Sequence, residues 1–252
     1  MKRRFFSWTP SIDTVVVALS ILALTFLAYL GLNVFGKTFL NPIIFGFLGT
    51  LCVCVIFPLY WALRVRKESL ESLGITKNRW LISLIVGIVL GALSFLSYYK
   101  NFGFDPVILP ALVVGLYAFW EVFFVYGWSQ LWFEKAFGIV PAIILAGVNF
   151  AVYHMAYGWF TSSDYISFLI IGIILGIIFR FTKNILILWP FLWPVSSLQG
   201  FAKGNFSPDW KIAGSSAFLL VIMLIAIYVF YRKRVTIKVP LTNETKGTTP
   251  QV

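Results

Sequence analysis

The chain has 252 residues, of which 60% are hydrophobic and 12% charged, with a formal net charge of +11 and a mean hydropathy of +0.91. A water-facing surface carries about 25% charge, so a soluble globular domain is excluded. The apolar residues also run on unbroken, without the alternating faces of a soluble core.

Runs of roughly 20 apolar residues are long enough to cross a hydrocarbon layer of about 30 Å. They predict an all-α, polytopic membrane protein of about eight transmembrane helices, at 13–34, 42–63, 80–99, 107–134, 139–159, 165–181, 185–202 and 212–231. The first follows Lys2, Arg3 and Arg4 but lacks a small-x-small cleavage site, which makes it a retained helix and not a signal peptide. Cys52 and Cys54, in the second, are two residues apart and so on different helix faces; they read as small apolar residues, not a metal or redox pair. The mixed-charge segment 64–79 predicts a short interfacial helix stopped by Gly74. The fourth helix contains Glu121 and the fifth contains Asn149 and His154, the single histidine of the chain. In the sixth, Gly172 and Gly176 form a G-x-x-x-G pattern that predicts close helix packing, and Arg180 and Lys183 read as interfacial anchors. Pro190 and Pro194 predict a kink or break in the seventh. The expected organisation is one membrane domain, 1–234, and a polar, disordered tail, 235–252.

Only Lys37, Lys100, Lys203 and Lys211 of the 20 Lys and Arg residues fall on one side of this topology. That asymmetry accounts for the basic charge through orientation, with both termini cytoplasmic in the cell membrane. No nucleic-acid partner is needed to explain it.

An ionisable side chain inside a span is costly and marks a functional site or a buried partner. Glu121 and His154 meet that description together. A helical hairpin turning near Phe137-Gly138 places opposite each other residues whose numbers sum to about 275, and 121 and 154 do so. Each lies about 16 residues from the turn, or roughly 25 Å, hence at one depth. A carboxylate and an imidazole there can hold a water between them, the setting of a general base; a Glu–His hydrogen bond fixing helix register is the structural alternative. Asn149 reads as an interhelical hydrogen bond, and Trp120, Trp189 and Trp193 as a possible cavity lining.

The sequence around these residues resembles the CPBP family (CAAX prenyl proteases and bacteriocin-processing enzymes), eight-helix intramembrane endopeptidases. The family's Glu-Glu-x-x-x-Arg-Gly stands here as Glu121-Val122-Phe-Phe-Val-Tyr126-Gly127, with Val122 for the second Glu and Tyr126 for the Arg. Its Phe-x-x-x-His is intact as Phe150-Ala-Val-Tyr-His154, 33 residues beyond Glu121. Its third motif, His-x-x-x-Asn, is due near Leu192 and Ser196; the histidine is missing and Ser196 stands near the Asn. The resemblance implies that Glu121 is the base and His154 orients the water. The third-motif role is then vacant, apart from Ser196. A divalent metal such as zinc, bound through Glu121 and His154, is implied by the resemblance alone. The implied partners are membrane lipid and a hydrophobic or prenylated peptide or protein substrate. The alternative is a catalytically weak or inactive relative that binds a hydrophobic or lipidated peptide as an immunity or scaffold protein. Loss of the second Glu together with the Arg strands no charge, which favours a stable fold over an optimal enzyme.

Overall fold

The computed structural model describes residues 4–36, 38–103, 105–157, 161–202 and 207–238, and no strand occurs among them. Eight apolar helices follow one another: α1 (Ile12–Val34), α2 (Pro42–Val65), α3 (Trp80–Asn101), α4 (Ile108–Phe137), α5 (Ile139–Met155), α6 (Ser162–Thr182), α7 (Trp189–Ala202) and α8 (Trp210–Arg232). Six are long and apolar enough to cross a membrane. The other two, α5 with 17 residues and α7 with 14, are shorter than the sequence predicts. α5 stops at Met155, one residue past His154. α7 begins only after a tight turn at Ile185–Ile187. The protein is thus an all-α, polytopic membrane protein, with six helices long enough to span and two short ones among the described residues. Beyond Arg232 the helix continues to Lys238, so the expected tail is helical in its first residues; 239–252 lie outside the described residues.

One end of the bundle gathers the charges. Arg66 Nε lies 2.6 Å from Asp13, which also accepts from Trp61 Nε1 at 2.8 Å. Lys135 meets Glu68 at 2.5 Å, and Arg180 and Lys183 both meet Glu134, at 2.9 and 2.8 Å. These pairs join the start of α1 to the end of α2, as antiparallel neighbours require, and the end of α4 to the end of α6, which run parallel. The interfacial segment is a single tight turn, Leu70–Leu73, and Gly74 stops it at φ +74°. A side chain there would be strained and would press on Ile185 and Phe179.

The α4–α5 hairpin turns at Gly138 (φ +85°), and the N-terminal segment laces it shut. Ser7 and Thr9 donate their amides to the Phe137 and Ala136 carbonyls, and the Arg4 and Phe5 carbonyls accept from Ile139 and Val140. Backbone groups left over at two helix ends are thereby satisfied.

Small residues set the helix spacing. A Cβ on Gly172 would fall 2.9 Å from the Gly147 Cα, so α5 and α6 touch backbone to backbone. Gly176 presents its carbonyl to Gln130 Nε2 (3.0 Å), and Gly172 presents its own to the Tyr126 hydroxyl (3.5 Å). Two side chains one turn apart on α4 thus dock on two carbonyls one turn apart on α6, and the G-x-x-x-G pattern is what bares them. α7 does the same against α3. Pro194 lacks the N–H that would bond the Pro190 carbonyl, and a Cβ on Gly91 would lie 2.3 Å from that oxygen.

Candidate functional site

Helix α4 is irregular around its acid. At Tyr117–Glu121 the backbone tightens: Trp120 N–H bonds the Tyr117 carbonyl and Glu121 N–H bonds Ala118. The Leu116 carbonyl loses its usual partner and accepts from the Trp189 indole at 3.0 Å. From Phe123 to Gln130 the helix widens instead, to the i→i+5 pattern. Such departures recur at functional sites, and here they flank Glu121, which is 6% exposed among aromatic side chains.

The carboxylate is met by phenols. The Tyr153 hydroxyl hydrogen-bonds Glu121, and the same oxygen lies 3.4 Å from His154 Nε2. Tyr153 therefore stands between the two residues that the spacing paired. The hydroxyls of Tyr126 and Tyr157 lie within electrostatic reach of the same carboxylate. Tyr153 is held by the edge of Trp120 (ring centroids 5.5 Å) and by Phe150 (5.9 Å).

His154 is oriented by its own helix. Nδ1 lies 2.7 Å from the Phe150 carbonyl one turn back, an arrangement that assigns the proton to Nδ1 and leaves Nε2 as the acceptor of a neutral ring. The ring stacks on Phe168 of α6 at 4.3 Å and 14°, and packs on Phe150 at 4.4 Å. This gives the Phe-x-x-x-His spacing a physical content: the carbonyl fixes the tautomer and the ring fixes the plane.

Phe150 and Tyr126 join Glu121 and His154 in this way. Asn149 is used for packing: its Nδ2 donates to Ser129 Oγ at 3.1 Å, tying α5 to α4. Val122 is fully buried in the apolar core. Ser196 is exposed on α7 and is not brought to the centre. Its neighbour Ser197 is the buried one, and a Cβ on Gly115 of α4 would lie 2.9 Å from its hydroxyl. Arg180 and Lys183, expected as interfacial anchors, both pair with Glu134. Trp120 is packed on Phe45 and Tyr153 rather than facing lipid, while Trp193 remains 39% exposed with its indole on the Leu112 carbonyl. Sequence reasoning missed Tyr153 and Tyr157. The available signal was a phenol directly before the histidine, in a helix where every buried hydroxyl needs a partner.

The residues test poorly as a zinc site. Catalytic zinc takes three protein ligands as a rule. Glu121 and His154 offer one carboxylate and one imidazole, and no group of three or more His, Cys, Asp or Glu that could hold a metal occurs among the described residues. The donor set does not fit that metal.

Fold and centre together define a class: a polytopic helical membrane protein with an acid, a phenol and an imidazole joined inside its bundle. Residues 103–191 match the family model described as Type II CAAX prenyl endopeptidase Rce1-like. That segment runs from the α3–α4 loop into α7 and contains Glu121, Tyr153 and His154; over it the chain is similar to the CAAX protease-like family. No curated protein and no solved structure matches the chain.

Proposed function

We propose that the protein is an intramembrane endopeptidase of the CAAX prenyl protease-like type, cleaving a hydrophobic or prenylated peptide or protein tail at a water held by Glu121 and His154. The observation that carries this reading is the Tyr153 hydroxyl, bonded to Glu121 and 3.4 Å from His154 Nε2, inside the segment that matches the family. Glu121 takes a proton from the water as its oxygen attacks the peptide carbonyl. His154 Nε2 accepts the water's other hydrogen and orients it. Collapse of the tetrahedral intermediate breaks the C–N bond, and the proton held by Glu121 passes to the leaving amine. No third-motif histidine is present to stabilise the oxyanion; the phenols near the carboxylate are Tyr126, whose hydroxyl donates to the Gly172 carbonyl, and Tyr157. A lost oxyanion donor costs about 100- to 1,000-fold in rate, and slow turnover is expected. The charge asymmetry supports an orientation with both termini in the cytoplasm of the cell membrane.

The test is cleavage of a peptide library by purified protein, with Glu121→Gln and His154→Ala beside the wild type. Cleavage that both substitutions abolish supports the enzyme, and insensitivity to a chelator such as EDTA is expected from the two-ligand donor set. Equal background in all three proteins, with a lipidated peptide still bound, supports the immunity or scaffold alternative. Exposure of Ser196 and burial of Val122 favour that second reading, since neither contributes a polar group to the centre.

A further inference from the structure

At the charged end of the bundle, where α6 stops and the chain enters α3, lies a cavity of about 230 Å³. Its wall includes Thr76, Asn78, Arg79, Arg180, Phe181 and Lys183, and one carboxylate, Glu71. Glu134 pairs with Arg180 and Lys183 at 2.9 and 2.8 Å. The local balance is therefore three cations to two acids. Arg79 carries the excess: its Nη1 donates to the uncharged Phe181 carbonyl at 2.9 Å, and it pairs with no carboxylate among the described residues.

The wall is built, not incidental. Arg79 and Lys183 both adopt left-handed backbone, at φ 52° and 53°, a conformation that long side chains avoid unless their surroundings impose it. Asn184 imposes it here. Its Nδ2 donates to the Thr76 and Asn78 carbonyls at 2.8 and 3.3 Å, and its Oδ1 accepts from Leu186 N–H at 3.0 Å, clamping the two chain segments together. Beside the polar wall stand side chains facing outward from spans: Phe181 is 70% exposed, Trp80 50% and Leu81 52%.

We propose that this cavity binds the phosphate of an anionic lipid headgroup, with the Arg79 guanidinium as its principal contact and the acyl chains lying along Phe181, Trp80 and Leu81. A guanidinium matches phosphate oxygens in a two-pronged geometry. A cavity open beside apolar lipid-facing side chains suits an amphiphile better than a free ion. This site stands apart from Glu121 and does not depend on any protease activity.

Binding of phosphatidylglycerol, phosphatidylcholine and inorganic phosphate to the purified full chain is measured by native mass spectrometry and by thermal unfolding in neutral detergent. Arg79→Asn and Lys183→Asn remove one charge each while keeping a residue that tolerates left-handed backbone. Phosphatidylglycerol should bind the wild type more tightly than phosphatidylcholine and raise its unfolding temperature. Affinity should fall roughly fivefold for each cation removed, the effect of one charge near an anionic surface, and Lys100→Gln should change nothing. Equal affinity of wild type and Arg79→Asn for phosphatidylglycerol overturns the proposal, as does a wild type without preference between the two lipids. An equal rise with inorganic phosphate alone replaces the lipid by a free anion and overturns it too.

Discussion

Helix α4 carries two poorly exposed acids, Glu121 and Glu134, and the protein treats them in opposite ways. Glu134, near the helix end, is answered by charge: Arg180 and Lys183 lie within 2.9 Å. Glu121, inside the bundle, is answered by neutral hydroxyls, chiefly Tyr153, which also lies 3.4 Å from His154. A countercharge suits only the ionised carboxylate. A phenol donates to the ionised form and accepts from the protonated one, so it accommodates an acid that gains and loses a proton. Charge compensation makes Glu134 a staple between α4 and α6. Hydroxyl compensation is what a working base in a helix bundle requires.

The comparison breaks first at Glu121. Glu121→Gln should lower peptide cleavage by about 100- to 10,000-fold, the usual worth of a general base, with little change in unfolding; parallel assays of turnover and thermal stability decide this, and undiminished turnover removes Glu121 from the chemistry. Glu134→Gln should do the reverse. It leaves Arg180 and Lys183 facing a neutral amide, and stability should fall by about 1–3 kcal/mol while cleavage persists, as read from detergent-denaturant unfolding. Asn149→Leu removes one interhelical bond to Ser129, for a loss of about 0.6 kcal/mol; a much larger loss would mean that Asn149 does more than join α4 to α5. The smallest effect belongs to Lys135→Gln. Its bond to Glu68 is between partly exposed groups, 45% and 35% accessible, so it should cost less than about 1 kcal/mol and vanish in salt.

How much of this was legible follows from which forces act over short distances along the chain. Hydropathy alone predicts the all-α membrane fold, and a hairpin turn placed near Phe137-Gly138 from the sequence is found at Gly138. The pairing of Glu121 with His154 is legible in depth but not in its link. Whether Tyr153 or His154 faces α4 is a matter of helix phase, and phase is altered by the tightening at Tyr117–Glu121 and the widening after Phe123. The tightening at Tyr117–Glu121 has no Gly or Pro within it to announce it, and the widened stretch has only Gly127. The same loss of phase explains Ser196. Counting onward from Gly176 crosses the turn at Ile185–Ile187, and the register slips by one residue, so that Ser197 and not Ser196 is buried. The length of α5 was overestimated because Ala156 and Tyr157 continue an apolar run beyond the last helical residue, Met155.

The lacing of residues 4–9 across the α4–α5 turn has a consequence for biogenesis. These residues leave the ribosome before any of α1, yet the carbonyls and amides they bond belong to residues 136–140. Four helices and the first residues of a fifth must be made before the strap can be tied, and until then its polar backbone stays bonded to water. Closure of the hairpin that carries Glu121 and Tyr153 is therefore completed in membrane assembly by a segment made ahead of all the helices it must wait for.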